Sequence, residues 1–169
     1  AVVGAGTMGN GIAQVFAMHG HSVRVIDVSA AALGKGREPI KGSLARMVKK
    51  GTVTQEAADQ AVSLVHVATS LDQAKTAELV VEAATENPAL KFKIFEELDQ
   101  VTAPDVILAS NTSSISITEI AARTKRPSQV IGMHFMNPVP VMQLVEIIRG
   151  IATEDETTAA GVSLAKETG

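Results

Sequence analysis

The sequence lacks several residue types on which whole classes of protein depend. It has no cysteine, no tryptophan and no tyrosine, and only 4 of its 169 residues are phenylalanine. Without cysteine the chain can form no disulfide bond and offers no thiolate as a nucleophile or metal ligand. The scarcity of aromatic rings argues against a surface on which nucleic-acid bases stack.

Charge, hydrophobic length and histidine spacing exclude further classes. The formal net charge is −3, which gives the chain no overall attraction to nucleic acid or to a membrane surface. No apolar run approaches the roughly 20 residues that span a bilayer. The four histidines, at positions 19, 21, 66 and 134, lack the spacing of metal ligands. We therefore expect no nucleic acid, membrane or metal ion among the partners of the chain.

What is present, at the start of the chain, is a short strand, a glycine-rich turn and a helix. Two valines lead into Gly4-Ala-Gly-Thr-Met-Gly9, which has the pattern G-x-G-x-x-G, and apolar residues at helical spacing follow. Gly4 lets the chain turn sharply, Gly6 leaves space for a pyrophosphate, and Gly9 lets the helix lie close to the strand. Free N–H groups at the start of the helix would point at the phosphates. The turn is predicted to bind a dinucleotide through Gly4, Gly6, Thr7, Met8 and Gly9.

An acidic residue completes this pattern. Gly20 is predicted to end the first helix, and a second strand ends at Asp27, which lies 23 positions after Gly4. A carboxylate at this point can accept hydrogen bonds from the ribose hydroxyls of the adenosine and would repel a 2′-phosphate. The next residue is Val28 rather than an arginine. The sequence therefore predicts NAD rather than NADP as the cofactor.

The rest of the chain alternates between strand-like and helix-like segments. Strands are predicted at residues 65–69, 79–83, 106–109, 130–135 and 141–148, the last with a helix as the alternative. Helices are predicted at residues 30–50 with a break near residue 38, from Thr54 as cap, at 88–101 with Leu90, Ile94, Phe95 and Leu98 inward, at 116–123, and from about residue 154. Repeated β-α units predict an α/β fold with a doubly wound, mostly parallel, Rossmann-like sheet.

The two ends of the chain shape the expected domain organisation. The first strand has three residues and no initiator methionine precedes it, while the chain stops at Gly169, where a final helix reaches a capping residue. We therefore expect one NAD-binding domain over residues 1–169, truncated at both ends.

Polar side chains follow the predicted strands where each strand ends. Asp27, Glu86, Ser113 and His134 all lie at or just after a strand's carboxyl end. Ligands of such sheets bind outside these ends. Taken singly, Ser113 and Glu86 could equally cap a helix or form a turn. Their common placement around one crevice favours a functional site.

His134 and Glu146 are predicted to face each other. The residue midway between them is Pro140, within the turn Asn137-Pro-Val-Pro140, so an antiparallel return would pair them. A carboxylate at one imidazole nitrogen fixes the tautomer and stabilises the imidazolium that forms when the other nitrogen takes a proton. Removing hydride from C–OH also requires removing the hydroxyl proton, so a hydride-transfer enzyme needs such a base. The alternative is a purely structural hydrogen bond.

The segment at residues 35–50 is basic. Ser43, Arg46 and Lys50 lie at i, i+3 and i+7 and therefore share a helix face. This face could be a solvated surface or a dock for a phosphorylated ligand, and spacing alone favours the solvated surface.

Four motifs together resemble one enzyme family. The first two are Gly4-Ala-Gly-Thr-Met-Gly-Asn-Gly-Ile-Ala-Gln14 and Val80-Val-Glu-Ala-Ala-Thr-Glu-Asn87, and the others are Ser110-Asn-Thr-Ser-Ser114 and Gly132-Met-His-Phe-Met-Asn-Pro-Val-Pro-Val-Met142. They resemble the NAD-binding domain of the 3-hydroxyacyl-CoA dehydrogenases, and most nearly the bacterial 3-hydroxybutyryl-CoA dehydrogenases. The resemblance covers all 169 residues.

The resemblance implies roles for individual residues. It implies that His134 is the catalytic base with Glu146 as its partner, and that Ser113 contacts the substrate oxygen. Ser43 and Lys50 would contact coenzyme A, where a cation meets phosphate. The residues implied to line the NAD site are Asp27, Glu86, Lys91, Ser113 and Asn137.

Two departures from the family bear on activity. Met136 stands where phenylalanine is common, which is a mild apolar exchange. In the family, a helical domain follows the NAD-binding domain. It completes the cleft, supplies a further asparagine and forms the dimer interface, and it is absent from these residues. The resemblance therefore implies a cytoplasmic homodimer, acting in fatty acid metabolism, whose isolated NAD-binding domain turns over poorly.

Three functions are consistent with the sequence. The leading one is NAD-dependent oxidation of a 3-hydroxyacyl-CoA, such as 3-hydroxybutyryl-CoA, to the 3-ketoacyl-CoA. A non-catalytic NAD-binding protein is the second, and the intact His134–Glu146 pair argues against it. An NAD-dependent dehydrogenase of a free hydroxy acid is the third, and the basic face of Ser43, Arg46 and Lys50 argues against it.

Overall fold

The computed structural model describes residues 1–29, 32–33 and 37–168. Within these ranges seven strands form one sheet in the order β3-β2-β1-β4-β5-β6-β7. The strands are β1 (Val2–Val3), β2 (Val23–Ile26), β3 (Val65–Ala68), β4 (Leu79–Glu82), β5 (Ile107–Ser110), β6 (Val130–Phe135) and β7 (Val145–Arg149). The first six run parallel, and β7 pairs antiparallel with β6.

Helices cover both faces of this sheet. The helices are α1 (Thr7–Met18), α2 (Glu38–Lys49), α3 (Gln55–Leu64), α4 (Pro88–Val101), α5 (Ile117–Ala121) and α6 (Asp155–Thr168), with 3-10 turns at Leu71–Ala74 and Pro127–Gln129. After β3 the chain crosses to the other side of β1 to form β4. This reversal creates a switch point at the carboxyl ends of β1 and β4, where doubly wound sheets bind ligands. The predicted fold class is confirmed.

The core has two layers because successive strand residues point to opposite faces. Val2 and Val25 belong to one apolar cluster, which contains α1, α2 and α3. Their neighbours Val3 and Ile26 belong to the other, which contains α4 and α5. Strands buried on both faces read as continuous apolar runs, as do Val2-Val3 in β1 and Leu79-Val80-Val81 in β4.

Several element boundaries match the sequence predictions. The helix over 88–101 is found as predicted, Thr54 caps α3 by accepting from the Ala57 N–H at 3.2 Å, and Ser116 caps α5. The helix α2 begins at Glu38 with Pro39 in its first turn, in agreement with the expected break. Residues 30–31 and 34–36 of the predicted helix, and the capping role of Gly169, lie outside the described residues.

Two local predictions are wrong. The apolar spacing predicts Leu90 inside, but Leu90 is 40% exposed. Its neighbour Lys91 takes the inward position because its ammonium binds a buried carboxylate. The segment 141–148 is only partly a strand. The N–H groups of Val141 and Met142 both donate to the Pro138 carbonyl, so a turn holds these residues, and β7 starts at Val145.

The described residues contain neither a membrane-spanning helix nor a cluster of metal ligands. None of the helices in the described ranges is long and apolar enough to cross a membrane. The same residues contain no group of three or more histidine or acidic side chains arranged to hold a metal ion.

Candidate active site

The pairing of β6 with β7 brings His134 and Glu146 together. The two residues are direct partners in the antiparallel register, as the position of Pro140 predicts. The His134 Nδ1 lies 2.8 Å from the Glu146 Oε2. This contact leaves the other ring nitrogen, Nε2, as the position that a ligand could reach. A backbone contact supports the same strand end, because the Phe135 N–H donates to the Asn111 Oδ1 at 2.8 Å.

A cavity of about 310 Å³ lies beside this histidine. It opens at the carboxyl ends of β4, β5 and β6. Its lining brings together six of the residues that the sequence singled out: Met8, Glu86, Lys91, Ser113, His134 and Asn137. Met136, the departure from the family pattern, also lines it. The sequence therefore predicted most of the polar lining of this cavity.

Glu86 is held at the cavity by several donors. Its Oε1 accepts from the Thr112 hydroxyl, from the Ser113 N–H at 3.2 Å and from the Ser114 hydroxyl at 3.0 Å. Burial pushes the pKa of Glu86 up. The hydrogen bonds from Thr112 and Ser114 and the charge of Lys91 outweigh burial and place that pKa below its ordinary value. Glu86 is therefore ionised near neutral pH.

A second acid, Glu82, lies beneath the first and was missed by the sequence reasoning. It is fully buried at the end of β4, and its Oε1 accepts from the Lys91 Nζ at 2.7 Å. Its Oε2 accepts from the Ser110 hydroxyl at 2.7 Å. The signal that could have found it is a charged residue that closes an otherwise apolar strand, since an ionised side chain is buried only with partners.

The glycine turn has the geometry that its pattern predicts. Gly4 has a φ of +109°, and a Cβ on Gly9 would lie 1.9 Å from the Gly4 carbonyl oxygen. At Gly6, by contrast, no heavy atom of the described residues lies within 4 Å of a built Cβ. Gly6 is the N-cap residue of α1, and no side chain of the described residues caps the helix there. The first N–H groups of α1 and the open space above Gly6 fit a pyrophosphate.

Asp27 lies beside this turn on the other side of the switch point. Its Oδ2 accepts from the Ala5 N–H at 2.8 Å and its Oδ1 accepts from the Ser29 N–H at 2.9 Å. Both contacts fix the carboxylate while each oxygen keeps a lone pair for a ribose hydroxyl. The arrangement therefore fits the adenosine half of a dinucleotide.

A second cleft, of about 410 Å³, lies between α1, α2 and the turn at residues 137–140. Ser43 and Arg46 line it together with Gly6, Thr7 and Asn137. Within the described part of the chain, Lys50 is not among the lining residues, since it follows the last residue of α2. The structure thus brings Ser43 and Arg46 to the cleft but not Lys50.

The wall of this second cleft contains a buried amide that sequence reasoning missed. Asn10 is 8% exposed and donates from Nδ2 to the Ala5 carbonyl at 2.8 Å. That donation fixes the amide orientation, because a carbonyl cannot donate in return. Among the described residues the Asn10 Oδ1 has no hydrogen-bond partner.

The fold and these two cavities define the dinucleotide-binding domain of a dehydrogenase. The family model of the 3-hydroxyacyl-CoA dehydrogenase NAD-binding domain matches residues 1–169, and the chain belongs to this family. NAD is therefore its cofactor.

Named relatives agree with this assignment. The chain is 54% identical over 159 residues to the 3-hydroxybutyryl-CoA dehydrogenase of Bradyrhizobium diazoefficiens, which covers 94% of this chain. It is 49% identical over 168 residues, 99% of its length, to a probable 3-hydroxybutyryl-CoA dehydrogenase of Bacillus subtilis. It spans 54% and 58% of the length of these relatives.

A solved structure matches the fold closely. The (S)-3-hydroxybutyryl-CoA dehydrogenase of Ralstonia eutropha superposes with a TM-score of 0.97 at 50% identity, over 99% of this chain and 59% of that one. The six parallel strands and the antiparallel β7 thus belong to an architecture shared with longer proteins.

Proposed function

We propose that this chain is the NAD-binding domain, over residues 1–169, of an enzyme that oxidises a 3-hydroxyacyl-CoA to the 3-ketoacyl-CoA. The observation that supports this proposal best is the His134–Glu146 contact of 2.8 Å beside the cavity at the sheet's carboxyl edge. The names of the relatives favour 3-hydroxybutyryl-CoA as a substrate.

His134 acts as the general base in this proposal. Oxidation breaks the C3–H bond and the O–H bond of the substrate and forms the C3=O double bond. The proton of the hydroxyl goes to the His134 Nε2, and the Glu146 carboxylate stabilises the imidazolium through Nδ1. NAD, when bound, supplies the acceptor of the hydride. Ser113, at the same cavity, donates its hydroxyl to the substrate oxygen and orients it.

The cofactor-binding residues divide between the two sides of the switch point. Asp27 takes the ribose of the adenosine, and the turn of Gly4, Gly6, Thr7, Met8 and Gly9 takes the pyrophosphate. The nicotinamide half then extends toward β4, β5 and β6. Glu86, Lys91, Ser113 and Asn137 line the cavity on that side.

The coenzyme A part of the substrate is assigned to the α2 side of the second cleft, across from Gly6 and Thr7, which bind the pyrophosphate in this proposal. Ser43 and Arg46 line it, and a guanidinium suits phosphate because it offers several donors in one plane. This cationic lining favours a phosphate-bearing substrate over a free hydroxy acid. Lys50, at the end of α2, stays a predicted contact for the outer part of the coenzyme.

The experiment that tests the proposal compares two proteins. One is the chain alone, and the other is the chain joined to the C-terminal part of the Bradyrhizobium relative. NAD reduction with 3-hydroxybutyryl-CoA should be measured in both. We expect turnover by the joined protein and little by the chain alone, while both bind NAD. If the joined protein turned over a free 3-hydroxy acid as well as its CoA thioester, the proposed substrate class would be wrong.

A cytoplasmic location and a homodimer remain predictions of the family resemblance. The dimer would form through the part of the relatives that this chain does not span. Sedimentation of the joined protein and of the chain alone measures that contribution directly.

A further inference from the structure

A chain of buried polar contacts runs under the cavity and reaches its rim. It starts at the Ser110 hydroxyl and passes through Glu82 and the Lys91 ammonium to Glu86. Glu82 and Lys91 are 0% and 1% exposed, whereas the Glu86 side chain is 41% exposed. The contacts therefore link a fully buried carboxylate to one that meets the cavity.

The ammonium of Lys91 is fully occupied by protein atoms. It contacts the Glu82 Oε1 at 2.7 Å, the Ala84 carbonyl at 3.1 Å and the Glu86 Oε2 at 3.4 Å. An ammonium has three N–H donors, so none remains for a ligand. Lys91 thus lines the cavity with its stem and connects two carboxylates with its charge.

Glu82 holds the backbone of the loop as well as the lysine. Its Oε1 also accepts from the Ala84 N–H at 2.7 Å. Ala84 is therefore held from both sides, because its carbonyl accepts from Lys91 and its N–H donates to Glu82. The loop between β4 and α4, which carries Glu86, is therefore held by this carboxylate at Ala84, next to the Ala83 N–H, which donates to the Val3 carbonyl at 2.7 Å.

The position of the network in the fold shows which part of a ligand it faces. Asp27 directly follows β2, on one side of β1, and Glu86 follows β4, on the other side. A dinucleotide spans such a switch point, so its adenosine half lies toward Asp27 and its nicotinamide half toward Glu86. His134 shares the cavity with Glu86, as a base next to a hydride-transfer centre must.

We propose that Glu82 is a positioning residue for the nicotinamide half of NAD. Through Lys91 and the N–H of Ala84 it fixes the loop and the Glu86 carboxylate at the cavity rim. This inference rests on the proposed function, because it needs NAD to bind across the switch point. A merely structural Glu82 would instead support both halves of the site equally.

The test compares NAD with ADP-ribose, which has the adenosine and pyrophosphate groups but lacks nicotinamide. Binding of both to the chain should be measured by calorimetry for the unmodified protein and for Glu82→Gln. The amide keeps the shape but loses the charge that holds Lys91. We expect the NAD Kd to rise about tenfold, equivalent to about 1.4 kcal/mol, and the ADP-ribose Kd to change less than about twofold.

A matched control is available elsewhere in the chain. Asp99 is a buried acid that pairs with Arg126 at 2.8 Å, away from both cavities. Asp99→Asn removes a comparable buried charge, so any general loss of stability should appear there too. We expect it to leave the Kd of both ligands unchanged.

A second variant covers the case in which Glu82→Gln does not fold. Ser110→Ala removes one hydrogen bond from Glu82, together with the 3.2 Å bond from the Thr112 N–H to the Ser110 hydroxyl, and keeps the ion pair of Glu82 with Lys91. We expect Ser110→Ala to raise the NAD Kd about two- to fivefold and to leave the ADP-ribose Kd unchanged.

Three outcomes separate the possible errors. If folded Glu82→Gln bound NAD as tightly as the unmodified chain, the positioning role would be overturned. If Glu82→Gln does not fold, the same result for Ser110→Ala would overturn it. Equal losses of NAD and ADP-ribose would overturn it too, because they indicate a general structural role. If the unmodified chain bound ADP-ribose but not NAD, the proposed function itself would fail.

Discussion

At the scale of single residues, the contact between His134 and Glu146 makes the sharpest prediction. A positioned base contributes about 10²–10⁴-fold to rate. His134→Ala in the joined protein should therefore lower kcat by about that factor. NAD binding should stay nearly unchanged, because the proposed binding of the dinucleotide is through the glycine turn and Asp27. Glu146→Gln should lower kcat as well, since an amide does not stabilise the imidazolium. Steady-state kinetics and NAD titration measure both effects.

The pair should behave as one unit. The fold-decrease in kcat of the double variant of His134 and Glu146 should then be much smaller than the product of the fold-decreases in the two single variants. His66→Ala, an exposed histidine on β3, is the control and should leave kcat unchanged. Fully multiplicative losses would show that the two side chains act independently, and a normal kcat for His134→Ala would remove the mechanism.

Asp27 carries a prediction about cofactor choice. Its carboxylate is fixed by two backbone N–H groups and is followed by Val28 rather than by a cation. It should accept ribose hydroxyls and repel a 2′-phosphate. Asp27→Ala should therefore weaken the binding of NAD more than the binding of NADP, as measured by titration with both cofactors. Equal affinity of the unmodified chain for the two cofactors would contradict this assignment.

The lowered pKa of Glu86 predicts how stability depends on pH. Because the folded pKa lies below the ordinary value of 4.5, the ionised form favours folding. That contribution is present above pH 4.5 and is lost as the pH falls through the lower, folded pKa. The stability difference between the unmodified chain and Glu86→Gln should thus shrink on acidification, as measured by urea unfolding near pH 7 and near pH 3. A difference that grew at low pH would show that the pKa is raised.

At the scale of elements, two glycines of the turn have different roles: Gly9 is needed for stability and Gly6 for NAD binding. A Cβ at Gly9 would overlap the Gly4 carbonyl oxygen, whereas one at Gly6 meets open space at an ordinary φ of −75°. Gly9→Ala should destabilise the chain by about 1–3 kcal/mol or more. Gly6→Ala should leave stability unchanged and weaken NAD binding, because the methyl group would occupy the space proposed for the pyrophosphate. Thermal melts and NAD titration of both variants test this, and a stable Gly9→Ala protein would contradict it.

Elements whose pattern is local were predictable, and those that depend on distant partners were not. The helix over 88–101 follows from Asn87, Pro88 and the apolar spacing, and the β6–β7 register follows from Pro140. Leu90 was misplaced because the inward position belongs to Lys91, whose partner lies on a strand nine residues earlier. Apolar periodicity alone cannot show that a lysine occupies the buried face.

At the scale of the whole molecule, the alternation of strands and helices predicted the sheet and therefore the edge that carries the site. The buried contacts that support the site were not predictable, because they join residues far apart in sequence. Glu82 meets Ser110 across 28 positions, and Glu86 meets Thr112 across 26. Only the packing of β4 beside β5 brings these side chains together.

The position of β7 has a consequence for the solution behaviour of the isolated chain. It is the last strand of the sheet, so one row of its backbone groups faces away from β6. Apolar side chains flank it, and Ile151, just beyond its end, is 90% exposed. Such an edge is a template for pairing with another chain. The strand that holds Glu146, the proposed partner of His134, is therefore also a place where concentrated samples should aggregate, and Ile151→Lys should delay that aggregation without altering NAD affinity.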